Sequence, residues 1–222
     1  MRVLYHHLLD PGSRVVRLLL AEKGLAAELQ HEEPWKRRDA FLRLNPAAEV
    51  PVLVDEDGTV VPGAAIIAEY LDERRPQPGF IGFNAVSRVE VRRLTAWFMQ
   101  KFAREVADLQ IEEKVVKRLA GLGFPDAATI RVANANIHYH LDYIGYLLED
   151  RKWLAGDILS LADLAAAGQL SCVDYLGSVP WEEHPGARDW YARMKSRPSM
   201  RAVLADRLPG LRPPDYYDDP DF

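Results

Sequence analysis

The apolar positions of the chain change their period once, near residue 76. Before that point, short apolar runs alternate with short amphipathic stretches. Residues 2–6 read as a strand. Asp10-Pro11-Gly12-Ser13 breaks it, with Ser13 as the candidate N-cap of a helix in which Val16, Leu19 and Leu20 recur at helical spacing. Gly24 suits the C-cap of that helix. Residues 27–32 read as a second strand, and 34–44 as a basic, loosely helical stretch ending at Asn45-Pro46. Residues 50–54 form a buried-strand pattern, Asp57-Gly58 is a hairpin turn signal, and Thr59-Val60-Val61 is the return. A further helix covers 64–74 after Pro62-Gly63. The order β-α-β-α-β-β-α predicts an α/β unit with a mixed sheet.

After the stiff stretch Arg75-Pro76-Gln77-Pro78-Gly79 only the helical period remains. This divides the chain into an α/β domain at 1–76, a linker at 77–86, an all-helical domain at 87–208 and a tail at 209–222. In the first long helix Val91, Leu94, Phe98, Phe102, Val106 and Leu109 recur every three or four positions, until Gly121, Gly123 and Pro125 end it. A second helix covers 126–149, with Ile130, Ala133, Ile137, Leu141, Ile144 and Leu148 on one face. A third starts near Ser160, where Ser160 and Asp163 have the spacing of a capping box. A fourth covers 185–196 and a short fifth begins at Ser199.

Composition narrows the function classes. With 48% hydrophobic and 27% charged residues, the 222-residue chain is an ordinary soluble protein, and its net charge of −5 argues against nucleic-acid binding through bulk positive charge. The last eight residues hold four of the acids and no base, so the rest is nearly neutral. A single cysteine, Cys172, excludes an intrachain disulfide and a cysteine-rich metal site, and fits a small core residue in a reducing compartment. No run approaches the ~18–20 apolar residues of a membrane span, and the start reads into a strand rather than a signal peptide. The expectation is a cytoplasmic protein with no membrane insertion. His6-His7 and His138/His140 point to opposite sides of their elements without an acidic cluster, so no metal is expected. No glycine-rich phosphate loop appears, and no cofactor is implied.

Local motifs go further. Asn45-Pro46 followed by Glu49-Val50-Pro51-Val52-Leu53, then Ile67-x-x-Tyr70-Leu71, Trp153-Leu154-Ala155-Gly156-Asp157 with Ser160-Leu161-Ala162-Asp163, and Tyr191 with Arg197-Pro198 resemble the glutathione S-transferase superfamily over residues 1 to about 207. The resemblance implies a thioredoxin-like N-terminal domain followed by an all-α domain, with Pro51 cis. It also implies a hydroxyl or thiol after the first strand to favour the glutathione thiolate, and a Glu/Gln-Ser pair opening the third helix to hold the γ-glutamyl end. Here Asp10 or Pro11 stands where the hydroxyl belongs, and Gly63-Ala64 where the pair belongs. Asp10, Pro11, Pro51, Gly63 and Ala64 therefore outline a degenerate glutathione site with no catalytic residue. Ser13 is the one nearby hydroxyl. It serves either as a helix cap or, in an enzyme alternative, at an atypical thiol site of a transferase or isomerase.

Three features stand apart from folding. Trp35 beside Lys36, Arg37 and Arg38 reads as a contact patch, or as a core-anchoring tryptophan with a solvated charge run. Lys114, Lys117 and Arg118 share a helix face, either as a binding patch or as a plain solvated face with a Glu113–Lys117 pair. Asp215, Tyr216, Tyr217, Asp218, Asp219 and Phe222 form an acidic-aromatic terminus, read as a docking peptide or as a tail packed on its own domain. Together with Leu4-Tyr5-His6-His7, this combination is similar to the FtsZ-localized branch of the superfamily in alphaproteobacteria. That resemblance implies a non-catalytic homodimer, cytoplasmic and at the division site, that binds FtsZ polymers and regulates their curvature or bundling, with the tail reaching a second division protein. A scaffold of an unrelated translation or stress assembly is the third reading.

Overall fold

The computed structural model describes residues 1–220. Four strands form one mixed sheet in the order β2-β1-β3-β4: β1 (Arg2–His6), β2 (Ala27–His31), β3 (Val52–Val54) and β4 (Val60–Pro62). β1 pairs parallel with β2 and antiparallel with β3, so Leu4 faces Leu29 on one side and Leu53 on the other. The parallel step needs a crossover, supplied by α1 (Pro11–Glu22). The antiparallel step from β3 to β4 needs only the Asp57-Gly58 turn, where Gly58 takes φ +85°. Alternation along β1 sets the layers. Leu4 joins the core shared with α1 and α3 (Ala64–Arg74), while the Tyr5 ring lies 5.8 Å from that of Phe41 on α2 (Asp39–Leu42).

The helical half begins with α4 (Ala85–Ala96), capped by Asn84 through a reciprocal box with Ser87. It continues without a break through π-helical turns at Trp97–Ala107, α5 (Asp108–Ile111), a second π-helical segment at Glu112–Val116, and α6 (Lys117–Ala120). The apolar positions step by four at Leu94, Phe98, Phe102 and Val106. In a 3.6-residue helix they would drift around the axis, and wider turns keep them in line. The chain then forms α7 (Ala127–Leu148), α8 (Leu161–Tyr175), α9 (Pro185–Lys195) and α10 (Met200–Leu204).

Every residue of α8 is buried, and this helix is the hub against which α1 packs. The contact is close because residue 168 is glycine: a Cβ there would lie 2.5 Å from Val15 Cγ2 and 3.0 Å from the Val15 nitrogen. α8 starts at the predicted box. Asp163 accepts from Ser160 N at 3.0 Å, and also from Leu154 N at 2.9 Å and Trp190 Nε1 at 3.1 Å, so one carboxylate ties three segments together. Polar clamps join α1 to the C-terminal helices: Arg17 is bidentate on Asp206 (2.6 and 2.9 Å), and Arg197 on Glu22 (both 2.7 Å). Cys172 lies fully buried in α8, and burial pushes its thiol up to about 12.

Candidate functional site

The end of β1, the start of α1, the Val50–Pro51 peptide and the start of α3 converge on one cleft. Asp10, rather than Ser13, is the N-cap of α1: its Oδ1 accepts from Ser13 N at 2.6 Å. The helix starts three residues earlier than expected because Pro11 fits its first position, where no N–H is needed. Ser13 is fully buried, and its hydroxyl accepts from His7 N at 3.3 Å, so it is part of the loop's internal bonding. The Val50–Pro51 peptide is cis, and the Pro51 carbonyl accepts from Gly63 N at 2.9 Å. A Cβ on Gly12 would approach Pro51 Cδ to 3.1 Å, so glycine lets α1 seat against this proline. α3 opens at Gly63 (φ +86°) and buried Ala64 with no side-chain cap.

A cavity of about 350 Å³ sits above this floor, lined by His7, Asp10, Pro11, Trp35, Asp108 and Glu112 with apolar neighbours. No lysine or arginine lines it. Burial pushes the Asp10 carboxyl up to about 6 and holds His7 down to about 4, so at neutral pH the imidazole is uncharged. Three carboxylates and a neutral histidine give no positive potential to stabilise a thiolate.

Trp35 lies on a 3₁₀ turn, Pro34–Lys36, and its ring meets His7 edge-on at 5.2 Å, closing one side of the cavity. The expected cationic run beside it is largely neutralised: Lys36 pairs with Glu33 and Arg38 with Glu32, which leaves Arg37 without an ion pair among the described residues. The signal was present in the sequence, because Glu32 and Glu33 stand directly upstream.

Lys114, Lys117 and Arg118 do come together, on the wall of a second cavity of about 1050 Å³ that Leu211 to Asp215 closes from the other side. The Glu113–Lys117 pair forms at 2.6 Å, and Lys114 Nζ donates to Ser178 Oγ at 2.6 Å.

The free-tail expectation is corrected. Tyr217 is fully buried, edge-on to Tyr175 at 5.1 Å, and its hydroxyl accepts from Arg14 at 2.9 Å. Lys195 Nζ donates to the carbonyls of Tyr216 (3.0 Å) and Asp219 (2.9 Å), and Arg207 bonds Asp218 at 2.5 Å. Asp215 pairs with Arg212 at 3.1 Å. The tail packs on its own domain because two buried cations need these acceptors. Phe222, also assigned to docking, lies outside the described residues. The residue that sequence reasoning missed is Arg14: two arginines three apart in a short apolar helix demand buried partners.

A mixed thioredoxin-like sheet with a cis-proline cleft, clamped to an all-helical domain, defines the glutathione S-transferase fold. Profiles of the glutathione S-transferase N-terminal and C-terminal domains match residues 11–74 and 114–198. The chain is 44% identical to FtsZ-localized protein A of Caulobacter vibrioides, with 100% of this chain and 98% of that protein covered. A crystal structure of a glutathione S-transferase from Rhodospirillum rubrum superposes with TM-score 0.98 at 51% identity, covering 100% of both chains. The structure of FzlA from C. crescentus superposes with TM-score 0.96 at 44% identity, covering 100% of this chain and 99% of that one. The chain belongs to the glutathione S-transferase family.

Proposed function

We propose that this protein is a non-catalytic adaptor on the transferase scaffold, which binds FtsZ polymers as a homodimer at the division site and regulates their curvature or bundling. The observation that carries the reading is the full-length 44% identity to FtsZ-localized protein A. The cleft supports the non-catalytic half. It has Gly63 and Ala64 where γ-glutamyl contacts belong, a capping carboxylate where a hydroxyl belongs, and acidic walls. Each lost charge-assisted hydrogen bond is worth about 1.5–3 kcal/mol of glutathione binding.

The surface supports the dimer. Val86 and Val89 on α4, Tyr139 and Tyr146 on α7 and Ile66 on α3 are all exposed. Their helices are tied together by Arg92–Glu69 at 2.8 Å and Arg93–Tyr143 at 2.7 Å. Two copies of a filament-binding surface turn modest affinity into avidity, and fixed spacing between them imposes geometry on a filament. Trp35 and the 112–118 helical segment are the assigned filament contacts, because Glu112 and Val116 line the Trp35 cavity while Lys114, Lys117 and Arg118 line the next.

Co-sedimentation with GTP-assembled FtsZ tests this. The wild type is expected to pellet with polymer, and Trp35→Ala and Lys114→Glu/Lys117→Glu to stay in solution while remaining folded. Retention on glutathione resin with thiol-conjugating turnover, and no pelleting, overturns the proposal.

A further inference from the structure

We propose that the cavity between the end of the long helix and the C-terminal segment takes an acidic peptide segment of the filament partner, and that the C-terminal segment is the wall of this receptor rather than a peptide that docks elsewhere. The inference rests on the filament-binding reading above and names the chemistry of the contact.

The charge of the cavity is lopsided. Lys114, Lys117, Arg118 and Arg212 line it against one carboxylate, Asp215, which is paired with Arg212 at 3.1 Å. Glu113 neutralises Lys117. Two cations remain without a counter-ion among the described residues. Lys114 is half-buried, its only partner among the described residues is the neutral Ser178 hydroxyl, and desolvation lowers its proton affinity. Arg118 makes no hydrogen bond or ion pair among the described residues. A partly desolvated ammonium bonded only to a hydroxyl gains a charge-assisted contact when a carboxylate arrives. Lys117 and Arg118 also offset the negative end of their own helix, which stops at Gly121.

The remaining lining is apolar and presents an anchor point. Phe124 is 95% exposed at the rim, and Leu176, Leu211, Pro213 and Pro214 form the walls. A segment that alternates acidic and aromatic or aliphatic side chains matches both parts of this surface.

The wall is held in advance of binding. Tyr175 Oη donates to Leu211 O at 2.6 Å and accepts from Leu208 N at 2.8 Å. Beyond the cavity, Tyr217 is locked on Arg14, and Lys195 grips two tail carbonyls. A receptor fixed in this way avoids the ordering cost of a flexible site. Among the described residues, the tail's buried aromatic anchor is Tyr217, which is committed to this domain rather than to a second protein.

The test uses the full chain. A fluorescein-labelled Asp-Asp-Phe-Asp-Asp-Phe peptide and its Asn-for-Asp counterpart are titrated by anisotropy, and FtsZ co-sedimentation is run alongside. The acidic peptide is expected to bind, to weaken as salt rises, and to displace the protein from polymer, while the Asn peptide does neither. Lys114→Met/Arg118→Gln should lose about tenfold or more in both assays. The control Arg43→Gln/Arg201→Gln, with the same charge change at exposed sites, should stay within about twofold of wild type. Tyr175→Phe, which frees the wall, should weaken the acidic peptide with both cations intact. Equal binding of the two peptides, or undiminished pelleting of the Lys114/Arg118 variant beside a pelleting wild type, overturns the proposal. A wild type that fails to pellet counts against the filament reading instead, and the peptide titration then decides the cavity alone.

Discussion

Tyr217 gives the sharpest test of how the chain end is built in. Its ring is fully buried against Tyr175, and its hydroxyl accepts from the Arg14 guanidinium at 2.9 Å, across 203 residues of sequence. Tyr217→Phe keeps the ring and removes one hydrogen bond to a charged group, which costs about 1.5–3 kcal/mol. Arg14 retains Ser171 Oγ at 3.0 Å and Leu8 O at 2.8 Å, so the loss falls at the low end of that range. For a chain of this length each kcal/mol moves the melting temperature by about 2–4 °C, so a loss of about 1.5 kcal/mol should lower it by roughly 3–6 °C. Tyr217→Ala also empties the aromatic site, and truncations of this kind cost about 3–5 kcal/mol. Its expected drop exceeds roughly 10 °C. Differential scanning calorimetry reads both. The hydroxyl supplies an independent signal: burial pushes it up to about 12, as it does that of Tyr216, so the late-ionising part of an alkaline absorbance titration should shrink by one tyrosine in Tyr217→Phe. A Tyr217→Ala protein melting within a degree of wild type would refute the packed tail.

Other outcomes follow from the same contacts. The folded-state pKa of Asp10 is raised to about 6, so the stability it contributes is complete below its unfolded value near 4 and is lost as pH rises through 6. Asn keeps the cap acceptor and cannot ionise, so Asp10→Asn should gain about 1–3 kcal/mol on wild type between pH 4 and 7; urea titrations showing a flat difference contradict this. Gly168→Ala gains about 1 kcal/mol of helix propensity but drives a Cβ into the Val15 backbone, so denaturant midpoints should show a net loss of about 1–3 kcal/mol, and a gain would refute the close α1–α8 contact. Asp163→Ala leaves Ser160 N, Leu154 N and Trp190 Nε1 without their acceptor and should cost about 3–5 kcal/mol by the same measurement, whereas a change under 1 kcal/mol would show the carboxylate is not the tie.

What the sequence made legible was local. The strand at 2–6, the Asp57-Gly58 turn and the Ser160–Asp163 box each depend on residues a few positions apart, and each stands where the pattern put it. The start of the third helix was legible for a similar reason, since Gly63 and Ala64 stand beside recognisable motif residues and open α3 without a side-chain cap. The readings that changed turned on partners that pattern does not display. Asp10 displaced Ser13 as the cap because Pro11 set the start of the helix. Two of the three cations at 36–38 were neutralised by the acids upstream. The tail was read as free because its receptor, Arg14, lies at the other end of the chain. The apolar stripe of the long helix was found correctly, but its four-residue step was not read as a widening of the turn.

The central claim is a transferase scaffold given over to filament binding. It is tested most directly by sedimenting the wild-type protein with GTP-assembled FtsZ while measuring glutathione binding by calorimetry on the same preparation. The account predicts saturable pelleting with polymer, none with unassembled FtsZ, and no heat from millimolar glutathione. Glutathione binding with no polymer-dependent pelleting would contradict it.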